Sequence, residues 1–247
     1  LSYPILRARQ YELDGSIGFE YLNSNTDISN GIFQVTDDRL RVATAGVNGI
    51  RRDEFGYTTF DASLRVGLGI LDNTPFSQPE RSRFDGRSTF TLIRGEAERL
   101  LTVNDDISAH FKLGAQYAFD PLLASEEFSI GGITYGRGFD PSEFTGDHGV
   151  GVAAELRHAL NVILDTVEIS GEGYGFVDYG FVWNRGAGEP AREAILSAGG
   201  GVRLFLPEGI YVAAELAAPV NQPLQRIGRS GDPIGGSRYF LTLTKRF

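Results

Sequence analysis

Cysteine and methionine are absent from this 247-residue chain. Without cysteine there is no disulfide framework, no thiolate metal site and no cysteine nucleophile. Without methionine the chain does not begin at an initiator, so it is expected to be processed or to be part of something longer. Lysine is nearly missing: of 23 basic residues only Lys112 and Lys245 are lysines, and the rest are arginines. His110, His148 and His158 are the only histidines, and no spacing brings two of them into a ligand pattern. No uncharged apolar run approaches the roughly 18–20 residues that a membrane-spanning helix needs. The start, LSYPILRARQ, has no basic region followed by an apolar stretch, so any export signal lies upstream of Leu1.

Positive charge is also short. The formal net charge is −9 and the pI about 4.9, so nucleic acid is not expected as a partner. No Gly-x-Ser-x-Gly nucleophile elbow is present. Gly199-Gly200-Gly201 falls inside a strand pattern and reads as a bend or a close-packing point, not a phosphate loop. Asp72, Glu80 and Asp85 are acids of one connection whose ordinary role is solvation, not calcium binding. No catalytic, cofactor-binding or metal-ligating residue is assigned, and no enzyme activity is expected.

What is abundant is period-2 alternation, and nowhere is a helical period convincing. From Asp106 to Phe119, Ile107, Ala109, Phe111, Leu113, Ala115, Tyr117 and Phe119 oppose Asp106, Ser108, His110, Lys112, Gly114 and Gln116. Tyr11–Asn23, Thr58–Ile70, Gly149–Leu160 and Val167–Trp183 repeat the pattern; Leu196–Leu206, Ile210–Ala218 and Arg238–Phe247 complete it. Leu40–Ile50 and Ser88–Val103 alternate less cleanly. Soluble β-proteins bury the apolar face, with strands of about 5–6 residues. A membrane barrel turns that face to lipid and needs strands of about 9–11 residues or more. The length here favours the barrel, as do Tyr21, Tyr57, Phe119, Trp183, Tyr239 and Phe247 at strand ends, where interfacial aromatics collect. Ile107, Phe111, Leu113, Val150, Val152, Tyr179 and Leu243 are expected to face lipid. Asp106, Lys112, Glu155, Glu172 and Asp178 are expected to face the lumen.

The connections alternate short and long, as in outer-membrane barrels. Long ones fall at 24–38, 72–87, 120–148, 184–193 and 219–237, and short ones separate them. The last strand then ends on the short-turn, periplasmic side, in YFLTLTKRF. A terminal Phe247 on an alternating strand resembles the assembly signal of bacterial outer-membrane barrels, with Lys245 interrupting the apolar face.

The longest connection carries Gly131-Gly132, then Gly136-Arg137-Gly138-Phe139, then Gly146-Asp147-His148-Gly149, and the next strand carries Glu155-Leu156. Phe176-Val177-Asp178 follows on the second strand after the loop. Together these resemble the BamA-type superfamily, and most closely its two-partner secretion translocators, the hemolysin-activator or filamentous-hemagglutinin transporter group. Gly136 stands where that family usually has Val.

The resemblance implies an antiparallel transmembrane β-barrel in the bacterial outer membrane. About ten strands plus a stub would belong to a larger barrel of roughly sixteen. Its missing amino-terminal part would supply further strands, a plug helix and periplasmic domains. Loop 120–148 would fold into the lumen, where Arg137, aimed by Gly136 and Gly138, meets Asp178, with Phe139 near Phe176. The implied function is export of a large partner protein without ATP; a BamA/TamA-type insertase, or a diffusion channel or surface receptor, are the alternatives. Implied partners are the secreted cargo, outer-membrane lipid, and the barrel assembly machinery acting through the carboxy-terminal strand. Segment 1–10 is expected to pair with a strand outside this chain or to lie at an open edge.

Overall fold

The computed structural model describes residues 1–28, 33–164, 167–186, 191–221 and 236–246. Eleven strands form one antiparallel sheet in which each pairs with its neighbour in sequence. They are β1 (Ser2–Arg7), β2 (Tyr11–Ile28), β3 (Phe33–Asp53), β4 (Gly56–Gly67), β5 (Thr91–Thr102) and β6 (Ile107–Ala118). After the long loop come β9 (His148–Leu164), β10 (Val167–Trp183), β11 (Arg192–Leu206), β12 (Ile210–Pro219) and β13 (Arg238–Lys245). The loop holds its own small pair, β7 (Phe128–Ile130) with β8 (Phe144–Gly146). Among the described residues nothing joins β1 to β13, so the sheet is open and these are its edges. The segment from Tyr11 pairs with β1 and β3. No described helix is long and apolar enough to cross a membrane.

The period-2 pattern sorts side chains onto two faces of opposite chemistry. One face carries Phe111, Leu113, Val152 and Tyr179, which stay exposed, and Leu243, which is 72% exposed. Ile107 and Val150 lie half-buried on the same face. No apolar core covers these residues, as a lipid-facing surface requires. Near the long-loop end this face collects a chain of ring contacts running Phe119, Tyr117, His148, Trp183, Phe181, with His148 stacked 5.0 Å from Trp183.

The opposite, inner face is laced with cross-strand ion pairs: Arg52–Glu12 at 2.6 Å, Arg65–Glu20 at 2.8 Å, Lys112–Glu98 at 3.0 Å and Arg203–Glu172 at 2.6 Å. Lys112 and Glu98, and Arg203 and Glu172, are direct register partners, and opposite charges so placed support register as well as solubility. Asp106 is not on this face; it lies in the turn before β6, where its carbonyl accepts from Ala159 N–H at 2.7 Å. Towards the long-loop end the inner face turns apolar. Leu40, Val42, Phe90, Leu92 and Ala118 pack there against Leu122 and Leu123 from the loop.

The long connection expected at 24–38 is mostly strand. β2 and β3 continue into it, with Ser24 opposite Asp38 and Asn25 opposite Asp37. Polar residues on both faces read as loop, but a two-stranded ribbon beyond the membrane needs no apolar face to keep its hydrogen bonds.

Candidate functional site

The loop between β6 and β9 lies across the inner face. Its small apolar nucleus joins Phe128, Ile130, Tyr135, Phe139 and Phe144 to Val182 of β10 and Ile195 of β11. A row of glycines makes room for it. Gly114, Gly151 and Gly180 are register partners across β6, β9 and β10. A Cβ on Gly151 would come 2.3 Å from Cγ of Tyr135, one on Gly114 2.3 Å from the Tyr135 hydroxyl, and one on Gly180 2.7 Å from Cβ of Ile130. The bare backbone of three strands is therefore the seat on which the loop rests.

Ion pairs hold the loop along its length. Near its start, Glu126 accepts two hydrogen bonds from Arg65 of β4, at 3.0 and 2.8 Å. Near its middle, Asp140 pairs with Arg238 of β13 at 2.5 Å. Between them sits Arg137, which is 8% exposed. Its Nε donates to Oδ2 of Asp178 at 2.9 Å and its Nη2 to Oδ1 at 2.9 Å, the two-pronged geometry that a guanidinium and a carboxylate share. Its backbone N–H donates to the same Asp178 at 3.0 Å. Nη1 reaches Glu155 at 3.0 Å and Glu215 at 3.1 Å. Burial works against this charge, and the bonds to Asp178 and then Glu155 and Glu215 more than offset it, holding the guanidinium above its ordinary pKa.

The acceptors are themselves braced. Glu155 also takes Arg203 at 2.8 Å and Arg157 at 2.7 Å. Glu215 accepts the Tyr174 hydroxyl at 2.7 Å. Phe176 explains its place among polar neighbours, because the Arg137 guanidinium carbon lies 3.3 Å from its ring centroid. Phe139 does not pack with Phe176: it joins the loop nucleus, whereas Phe176 clusters with Tyr174 and Ala217.

The two glycines flanking Arg137 have separate reasons. Gly136 takes φ of +134°, a conformation costly for residues with a side chain. Gly138 runs so close to β12 that a Cβ would come 2.6 Å from the Ala218 carbonyl carbon. Phe247 lies outside the described residues.

Spacing alone does not reveal Glu155 and Glu215 as partners of Arg137, nor the glycine row; both are set by register between distant strands. Among the described residues no group of three or more His, Asp and Glu is placed to hold a metal ion. Asp72 pairs with Arg39, and His110 lies 3.5 Å from Glu98. The arrangement holds the loop against the inner face through buried charge contacts.

A family model described as haemolysin secretion/activation protein ShlB/FhaC/HecB matches residues 1–204. Heme/hemopexin transporter protein HuxB of Haemophilus influenzae is 24% identical over 183 residues, 73% of this chain and 31% of HuxB. CdiB from Escherichia coli superposes with a TM-score of 0.77 at 18% identity, over 98% of this chain and 42% of that one. CdiB from Acinetobacter baumannii gives 0.67 at 19% identity, over 91% and 38%. The chain thus spans less than half the length of these relatives. With a family match over most of its length, this chain belongs to the ShlB/FhaC/HecB haemolysin secretion/activation family, the outer-membrane β-barrel translocators of two-partner secretion.

Proposed function

We propose that this chain forms the carboxy-terminal part of a pore that exports a large partner protein from the periplasm without ATP. Loop 120–148 occupies the lumen and sets whether the pore is open. The observation that carries this reading is the tethering of Arg137 to Asp178, Glu155 and Glu215, which come from three different strands of the inner face. Such a tether is strong while the cluster is dry and weakens when water enters, because screening and solvation replace the lost partners. It suits a loop that must be held and released.

In the same reading the exposed apolar face lies against outer-membrane lipid. An amino-terminal part closes the barrel between β1 and β13 and brings the periplasmic domains that capture cargo. The strand ending at Phe247 is what the barrel assembly machinery recognises. The named relatives are transporters, and no residue is assigned a catalytic role.

The test is Arg137→Ala and Asp178→Ala in the full-length transporter, with secreted cargo and assembled barrel measured in the same cells. Both variants are expected to lower secretion more than barrel, and the double variant to be less than additive. Equal loss of barrel and secretion, or strict additivity, would remove the basis for the reading.

A further inference from the structure

The Gly146-Asp147-His148-Gly149 segment has no part in the Arg137 cradle, yet it holds a second buried charge. Asp147 is fully buried, and its partner Arg83 is 5% exposed. The Arg83 Nη1 donates to Oδ1 of Asp147 at 2.6 Å and to the Leu122 carbonyl at 2.7 Å. The Leu122 N–H donates to the same Oδ1 at 2.7 Å. Oδ2 accepts the backbone N–H of Arg185 at 2.9 Å. The Asp147 N–H donates to Oδ1 of Asn184 at 3.0 Å, and its carbonyl accepts from Gln116 at 3.1 Å. Glu127 lies 3.2 Å from the same Nη1 of Arg83.

These contacts come from three connections at one end of the sheet. Arg83 belongs to the β4–β5 connection, Leu122 and Glu127 to the motif loop, and Asn184 and Arg185 to the β10–β11 connection. One carboxylate thus collects a donor from each. The cost of burying Asp147 is met only while all three stay together, since its Oδ1 accepts from the β4–β5 connection and the motif loop and its Oδ2 from the β10–β11 connection.

We propose that Asp147, with Arg83, is a positioning pair that fastens three external connections into one cap over the pore mouth, and that this cap must loosen before the motif loop can leave the lumen. This deepens the pore reading and rests on it. Arg137 tethers the middle of the loop to the wall, and Asp147 fixes where the loop re-enters the sheet. Displacing the loop as a unit strains both points. The Asp147 node lies towards the long-loop end, so its loss opens the mouth without touching the Arg137 cradle.

The test uses the full-length transporter with Asp147→Asn, which keeps shape and removes charge, and Arg83→Lys, which keeps charge and loses the fork. Asp178→Asn serves as the comparison. Single-channel recordings in planar bilayers read open probability. Loss of the folded band on heating reads barrel integrity. Hydrogen exchange at the Leu122 and Arg185 amides reads the node directly. Asp147→Asn is expected to raise open probability roughly tenfold, the change that losing about 1.4 kcal/mol of latch produces. Exchange at both amides should speed up while the folded band survives to the same temperature. Arg83→Lys should fall between wild type and Asp147→Asn.

An Asp147→Asn channel that opens no more often than wild type, while Asp178→Asn does, would overturn the cap and leave the pore reading standing. If Asp147→Asn fails to assemble, the latch is instead a folding element and the proposal is wrong; Arg83→Lys then shows the same by losing barrel and open probability in parallel. Silence from every variant, Asp178→Asn included, would overturn the pore reading and the cap with it.

Discussion

The Arg137 guanidinium carbon lies over the ring of Phe176, 3.3 Å from the centroid, while its Nε and Nη2 donate to Asp178, two residues further along the same strand. Residues i and i+2 of a strand point to the same face, so one β10 segment supplies both a floor and a wall. This separates what the three carboxylates around Arg137 contribute. Asp178 accepts from the backbone N–H, Nε and Nη2, whereas Glu215 accepts only Nη1 and is also satisfied by Tyr174.

From this follows an order of effects. Asp178→Asn should destabilise the seated loop by about 3–5 kcal/mol, the usual cost of leaving one member of a buried pair uncompensated. Glu215→Gln should cost about 1–3 kcal/mol, the range for one buried hydrogen bond disturbed. The check is protease accessibility of loop 120–148 in the detergent-solubilised full-length protein. Equal accessibility in the two variants would show that Asp178 is not the principal anchor.

The strands were readable because a membrane-type sheet holds one chemistry per face over many residues, as Asp106–Phe119 does almost without exception. The ends were not. Ser24, Asn25, Asp37 and Asp38 are polar whichever face they occupy, so nothing in them separates a two-stranded ribbon from a loop. The Arg137–Asp178 contact became an expectation through a resemblance in the loop and in Phe176-Val177-Asp178, not through spacing. Phe139 and Phe176 fall in separate apolar clusters, and the ring of Phe176 is covered by the Arg137 guanidinium instead. Arg83 and Asp147 are 64 residues apart, and no local pattern marks them as partners. The same holds for Gly114, Gly151 and Gly180, which become a row only through strand register.

That row makes a second prediction. Gly151→Ala places a methyl 2.3 Å from Cγ of Tyr135, so the ring must leave its seat. Overpacking of this kind costs about 1–3 kcal/mol. Tyr135→Ala should relieve it, so the double variant should resemble Tyr135→Ala alone rather than the sum of the two. Thermal loss of the folded band reads the comparison. Additivity would mean that the ring does not rest on Gly151.

The two faces can be tested at adjacent residues. Leu113, 48% exposed, sits beside Val152 of the neighbouring strand on the apolar face. Leu113→Arg should cost about 2–4 kcal/mol, the penalty for a cation at the lipid-facing midplane, and should lower the fraction of assembled barrel. Lys112 points the other way, into Glu96 and Glu98. Lys112→Arg should leave assembly unchanged, since a second cation satisfies the same carboxylates. Equal sensitivity at both positions would reverse or abolish the assignment of faces.

Gly136 offers the least intuitive outcome. The resemblance carried by the loop motif leads to an expectation of Val at that point, so Gly136→Val looks like a restoration. The backbone argues otherwise. With φ at +134°, a β-branched residue meets strain of about 1–3 kcal/mol before any contact is counted. A Cβ there would also come 2.5 Å from Cδ1 of Ile195 and 3.1 Å from the Gly131 Cα. The Ile195 contact is the yielding end of a flexible side chain, and the φ strain is not. Gly136→Val is therefore expected to loosen the loop and to lower secretion by the full-length transporter. Ile195→Val, one methyl shorter, should recover only part of the loss when combined with it. Full recovery in that double variant would show that the obstacle is the side-chain contact alone. An increase in secretion from Gly136→Val by itself would show that the loop accepts a β-branched residue here and that the positive φ is not required to aim Arg137.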